Sequence, residues 1–423
     1  MQALNECAAR GVDFAEAFRY QYVISRQPIE APGFELHPFA GHYVSTGQAV
    51  RLSRLRDAHG MSFGLLLGIA VDEHGVLGAE CRLPHIDSTR EAPFAALENW
   101  LETLTGRYTL LAGMGGEVRV YCDATGMNGV VYNRKLKRVA ASLYLAIDDA
   151  VMERPDYDHQ AVAERGAKYT LFDTRDRRVR RLNPNCWLSL KSFQETRYWP
   201  RPDQSFRRNE ADYAEAFSEM IDTGRRVTEA LIAGFPCALP ISGGRDSRII
   251  AGFAQGRLGR LRHVFTHITN YGTRKDAAIA THVADALRVP LEVHDFKKHR
   301  IGAKDLARET AIWQVATGLD GPAPAEVRKG VNRLLADDSV ILRGHQTDIL
   351  RAVFLDRNGE AARAELIWQV KRLMPVPYPE FTRKVYRLFS KRYKAWLDGL
   401  PKCVQAKSVD MMFAEIYYCS SLG

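Results

Sequence analysis

Six consecutive residues, Ser242-Gly243-Gly244-Arg245-Asp246-Ser247, carry the clearest chemistry in this chain. Adjacent glycines allow a tight turn and let backbone N–H groups come close to a ligand. If a helix follows, those N–H groups and its positive end together make an anion site. The hydroxyls of Ser242 and Ser247 add donors suited to phosphate oxygens. A carboxylate at Asp246 would repel phosphate, so it makes chemical sense through a bridging cation. Mg²⁺, which is held by one or two carboxylates plus phosphates, is the natural choice. The run lacks the GxxxxGK[ST] spacing of a Walker P-loop. A simpler reading stays open, a Gly-Gly turn in which Asp246 and Ser247 cap a helix.

An anion site of this kind needs a strand before it and a helix after it, and the surrounding sequence supplies both. Cys237 to Ile241 is a short apolar run that reads as a strand, and helical spacing resumes through Gln255. Upstream, residues 210–233 read as one long helix closed by Gly234. Downstream, 263–269 reads as a strand, Gly272 as a turn, Asp276–Leu287 as a helix, and Pro290–His294 and Ser339–Arg343 as further strands. Strands alternating with helices predict a parallel sheet of the doubly wound kind. The first 200 residues differ. Runs 107–113 and 117–123, split by Met114-Gly115-Gly116, read as a hairpin. Pro93–Leu104 reads as an amphipathic helix, and Asn183-Pro184-Asn185 as a turn. Trp199-Pro200-Arg201-Pro202 and the polar residues after it read as a linker, which divides the chain into 1–200 and 201–423.

The composition fits this α/β picture. The chain has 423 residues, with 46% hydrophobic and 26% charged residues, which excludes disorder and collagen-like repeats. Its longest uncharged apolar run, Phe63–Val71, is well short of the ~20 residues that a membrane span requires. The first residues lack the basic-then-apolar layout of a signal peptide, and seven scattered cysteines without a CxxC pair fit a reducing cytoplasm. The net charge of +9 is partly local, since residues 361–400 hold nine Lys/Arg against three Asp/Glu. The aromatics interleaved there, among them Trp368, Tyr378, Phe389, Tyr393 and Trp396, could stack on bases. Helical spacing from Phe381 to Leu397 favours instead a solvated basic face opposite a buried aromatic one. No membrane partner is expected, nucleic acid is not favoured, and an oligomer is compatible with the composition.

The loop Ser242–Ser247 resembles the SGGxDS pyrophosphate loop of the ATP-pyrophosphatase group, and the wider layout is similar to the asparagine synthetase family. Segments 106–133, 181–201 and 266–287 resemble, in order, the family's first-domain strands, its interdomain passage, and the strand, loop and helix that follow the phosphate loop. Asp276 falls at the usual acidic position. Gly344-His345-Gln346-Thr347-Asp348 falls where the family carries G-x-G-[ST]-D. The resemblance implies an N-terminal β-rich glutaminase-type domain (1–200) of the N-terminal-nucleophile fold. It implies a C-terminal parallel-sheet synthetase domain (201–423) similar to the adenine-nucleotide α-hydrolases. It also implies an ATP-dependent ligase that adenylates a small-molecule or peptide carboxylate and passes it to ammonia or an amine, releasing AMP and pyrophosphate. Ser242, Gly243, Gly244 and Ser247 would bind pyrophosphate, and Asp246 and Asp348 would hold Mg²⁺. For Asp348, a loop acid or helix cap is the alternative.

Three departures qualify that expectation. His345 replaces a residue that handles the amine in relatives, so it is a candidate general base or orienting group, or else a hydrogen-bonded loop histidine. Gln2 stands where a glutaminase nucleophile would be exposed, and Cys7 is not terminal, so no glutamine hydrolysis is expected. The segment 408–423 resembles a family helix that continues toward a catalytic lysine, and this chain ends before one. Arg343, Arg351 and Lys407 are candidate substitutes. The alternative functions are a non-catalytic nucleotide-binding relative and a tRNA-modifying enzyme of the same loop group.

Overall fold

The computed structural model describes residues 1–164, 169–204, 210–298, 301–344, 347 and 383–419. It is a mixed α/β structure with a β-rich first half and a separate parallel sheet.

In the first half two sheets lie face to face. One has six strands, with Tyr22–Ser25 and His42–Gly47 near its middle; the other has eight, built on Ser62–Asp72, Thr105–Met114 and Glu117–Cys122. The 105–114 and 117–122 strands form the expected antiparallel hairpin. Alternation along these strands divides their side chains between two cores. Leu111, Val120 and Cys122 face the six-stranded sheet and meet Tyr22, Ile24 and Val44. Tyr108, Leu110, Ala112 and Tyr121 face outward and are covered by Phe94, Leu97, Trp100 and Leu101 of the helix Pro93–Leu101. On the far side, Ala3 and Cys7 of the helix Gln2–Arg10 cover Val23, Val131 and Ala140 of the six-stranded sheet. The result is a helix–sheet–sheet–helix stack, and burial on both faces explains why these strands are apolar almost throughout.

The second half begins with the long helix Glu210–Gly234 and continues into four parallel strands. Their spatial order is Glu292–Asp295, His263–Ile268, Cys237–Pro240, Val340–Ile341. The chain starts in the interior of this sheet, moves outward through two strands, then returns to the other side of its starting strand. That reversal opens a crevice at the carboxyl ends of Cys237–Pro240 and Val340–Ile341, the position where open α/β sheets bind ligands. The strand expected over 339–343 is only Val340–Ile341, and the helix after the loop ends at Phe253. The helix expected from Asp276 begins at Tyr271 instead. Asn270 and Thr273 cap each other reciprocally, so the N–H groups of both are satisfied, and Gly272 sits inside that turn.

Residues 383–419 lie against the first half of the chain. Phe389 and Tyr393, on the helix Arg383–Asp398, pack with Tyr157, Tyr169 and Phe172, as do Met412 and Ile416. The aromatic face is therefore buried, as its spacing suggests, and these rings are not available to stack on bases. Trp368, Tyr378 and Phe381 lie outside the described residues. Among the described residues, no helix is long and apolar enough to cross a membrane.

Candidate functional site

The strand Cys237–Pro240 is buried along most of its length and aims the loop that follows it at the crevice. Ile241, still buried, is the last anchor; from Ser242 onward the chain is partly exposed. The helix Arg245–Phe253 starts immediately, with Gly244 at its N-cap and no side-chain cap. The simple capping reading of Asp246 and Ser247 therefore does not describe this turn. The Ser247 hydroxyl accepts from the Ser242 backbone N–H at 3.1 Å and lies 3.2 Å from the Ser242 hydroxyl. The Gly244 N–H donates to Ser242 Oγ at 3.2 Å. The two serines thus hold the turn closed and sit beside the helix N-terminus.

The glycines serve different purposes from the one their adjacency suggests. Neither has a left-handed backbone; Gly244 has φ −74° and ψ 156°, which any residue adopts. Gly243 is instead closely approached by two side chains. A Cβ there would lie 2.6 Å from Asp276 Oδ1 and 3.0 Å from Ile279 Cδ1, so a side chain would make these two side-chain ends of the neighbouring helix move. This contact puts the Asp276 carboxylate against the phosphate-type loop.

Across the crevice, the loop after Val340–Ile341 reaches Asp246. The Thr347 hydroxyl has two acceptors within reach for its single proton, Asp246 Oδ1 at 2.7 Å and the Gly344 carbonyl at 2.6 Å. Gly344 approaches so closely that a Cβ would lie 2.5 Å from the Asp246 carbonyl oxygen. The carbonyl oxygen and carbon of Asp246 that it meets are backbone atoms, so they cannot yield cheaply. Gly344→Ala is expected to cost about 1–3 kcal/mol of stability by overpacking, read as a lower midpoint in urea, while alanine at the open Gly252, inside the helix Arg245–Phe253, should be neutral or stabilise by up to about 1 kcal/mol. Equal midpoint shifts for the two variants would contradict this close packing.

Three groups that the sequence reading did not single out complete this edge. His267 stands on the strand His263–Ile268, one residue before its carboxyl end. Burial pushes its pKa down, opposed by Glu326 and Asp276 and reinforced by Arg343 and Lys329. It is therefore held neutral among charges of both signs. The Lys329 ammonium donates to the Thr269 carbonyl at 3.1 Å and lies 5.6 Å from the centre of the Phe296 ring. Thr347 is the third. The strand pattern places His267 at the ligand-binding edge of the sheet, which was the available signal. Nothing local marks Lys329, whose position depends on the connection that returns the chain to the sheet.

Of the expected site residues, the structure brings together Ser242, Gly243, Gly244, Asp246 and Ser247. His345 and Asp348 lie outside the described residues. Among the described residues, no cluster of three or more His, Cys, Asp or Glu side chains is arranged to hold a metal ion. Compared with protein-family models and with curated proteins, the sequence matches none.

Proposed function

We infer that the chain is an ATP-dependent ligase of the asparagine synthetase type, forming an amide between an adenylated carboxylate and ammonia or an amine. The observation that carries this reading is the position of Ser242–Ser247. The loop leaves the carboxyl end of the strand beside the reversal in strand order and runs directly into a helix, with Asp246 bonded to Thr347 across the crevice. A pyrophosphate group at this edge would meet backbone N–H groups at the start of the helix, and the hydroxyls of Ser242 and Ser247 would exchange their mutual contact for phosphate oxygens.

The residues present suit Mg²⁺ of the kind that shares its coordination with a nucleotide, because such an ion needs one or two protein carboxylates and no cage of ligands. Asp246 is the described candidate, and Asp348 the second one from the resemblance. When bound, the ion would neutralise charge on the departing pyrophosphate. Thr347 positions the Asp246 carboxylate. Lys329 and Arg343 place positive charge at the same edge and are available to offset phosphate or carboxylate charge. In this reading His345 takes the proton of the attacking amine.

The nitrogen would come from free ammonia or an amine. Cys7 is 4% exposed, and burial, with Asp13 and Glu6 nearby, pushes its thiol up to about 11. At pH 7 only about one molecule in 10⁴ would carry the thiolate, which makes Cys7 a poor nucleophile for glutamine hydrolysis.

The deciding test is calorimetric titration of ATP with and without Mg²⁺, followed by ATP–pyrophosphate exchange in the presence of pooled carboxylic acids. Mg²⁺-dependent binding and acid-dependent exchange are expected. Binding without exchange for any acid would leave a nucleotide-binding protein that is not a ligase. No binding by folded protein would remove the nucleotide site altogether.

A further inference from the structure

We propose that a second anion site, specific for a compact multi-phosphate group, lies at the opposite edge of the parallel sheet from Ser242–Ser247. Arg257 and Arg260 come just before the strand His263–Ile268, at the amino edge of the sheet; Arg225 and Arg226, in the second half of the helix Glu210–Gly234, line the same groove as they do. Both pairs therefore sit at the amino edge, whereas the phosphate-type loop leaves the carboxyl edge. The four-residue strand between the two edges separates them by about 13 Å of extended chain.

These four arginines line one groove of about 440 Å³, together with Glu73, His74 and Glu229. Its volume is that of a small-ligand pocket. The four arginines against two glutamates leave a surplus of two positive charges. Their present engagements leave donors free. Arg226 donates one N–H to the Asp72 carbonyl at 2.5 Å, and Arg257 lies 4.0 Å from Glu229. Arg225 and Arg260 are exposed and make no ion pair among the described residues. Guanidinium groups present several N–H donors in a planar fork that matches phosphate oxygens two at a time, so convergent arginines select phosphate over a diffuse negative charge.

The groove is closed on one side by the turn at Glu73, His74 and Gly75. Asp72 fixes this turn by accepting the His74 and Gly75 N–H groups at 2.8 and 3.1 Å. One wall thus belongs to the β-rich half and the other to the parallel-sheet half, and a ligand here joins the two. A nucleic-acid strand is disfavoured because its footprint needs a longer run of cations along the backbone, and Glu73 and Glu229 interrupt this one. The site does not depend on the ligase reading.

The test is titration of the full chain with sodium tripolyphosphate in metal-free buffer. Measurable binding is expected, weakened at least tenfold in Arg225→Ala/Arg260→Ala. Because Arg225 and Arg260 are exposed, the double variant should keep the parent's melting temperature. Binding that survives the arginine changes but is lost in Ser247→Ala would assign the anion to the carboxyl edge and overturn the proposal. Absence of binding would overturn it too, as would capture of a 20-nucleotide RNA by a chain that ignores tripolyphosphate.

Discussion

Asp246→Asn is expected to reduce Mg²⁺-dependent ATP affinity by about 100- to 1000-fold while leaving the fold intact. The substitution isolates charge from shape. Asparagine keeps the side-chain volume and an oxygen able to accept from the Thr347 hydroxyl, now at 2.7 Å from Asp246 Oδ1. The contact across the crevice therefore survives, and what is lost is one negative charge where a cation would sit. A unit charge at about 4 Å in a medium of effective dielectric near 20 is worth about 4 kcal/mol, and each 1.4 kcal/mol is a factor of ten. Thr347→Val is the complementary variant, since it removes the hydroxyl and keeps the charge. It should weaken affinity by less than tenfold, because the carboxylate loses its orientation only. Titration of ATP into wild type and both variants, with and without Mg²⁺, separates the contributions. If Asp246→Asn binds Mg²⁺-ATP as tightly as wild type, Asp246 is a structural residue and the metal role belongs elsewhere.

How much of this was legible in the sequence depends on the range of the interactions. The passage from Cys237 to Phe253 was readable because local signals agree, an apolar run, a polar glycine-rich turn and a helical repeat. The following helix starts at Tyr271, before its expected place, although Gly272 looks like a breaker. The decisive residues are Asn270 and Thr273, whose reciprocal cap offsets the cost of a glycine in the first turn. The close approach of Asp276 to Gly243 was not legible, because Asp276 lies on another helix. The same holds for Gly344 against Asp246. The buried aromatic face of Arg383–Asp398 followed from spacing, while its partners Tyr157 and Phe172 lie far upstream and carry no mark of the pairing.

Glu415 shows the limit most sharply, and it carries the largest expected effect on stability. A glutamate near the end of a chain would ordinarily be placed at the surface, yet this one is 0% exposed. Its carboxylate accepts from Asn185 Nδ2 at 2.8 Å and from Arg197 at 2.5 Å on Oε1. Oε2 accepts from Asn183 Nδ2 at 2.8 Å, Arg197 at 3.0 Å and the Trp396 indole N–H at 2.8 Å. Every neighbour is a donor, and three of the four belong to the β-rich half, so this carboxylate adds a polar tie to the apolar packing that holds residues 383–419 there. Glu415→Ala should cost about 3–5 kcal/mol, because it leaves the Arg197 charge buried without its partner. Glu415→Gln should cost nearly as much despite its matching shape, since either orientation turns an NH₂ group toward at least two donors. Arg197→Met/Glu415→Leu should be less damaging than the sum of the single changes, since removing both charges leaves neither uncompensated. Urea unfolding followed through tryptophan fluorescence, with proteolysis of 383–419 as a second readout, measures these three variants and the two single changes of the pair. A nearly neutral Glu415→Gln would mean that the carboxylate's charge and acceptor geometry do not hold the C-terminal segment in place.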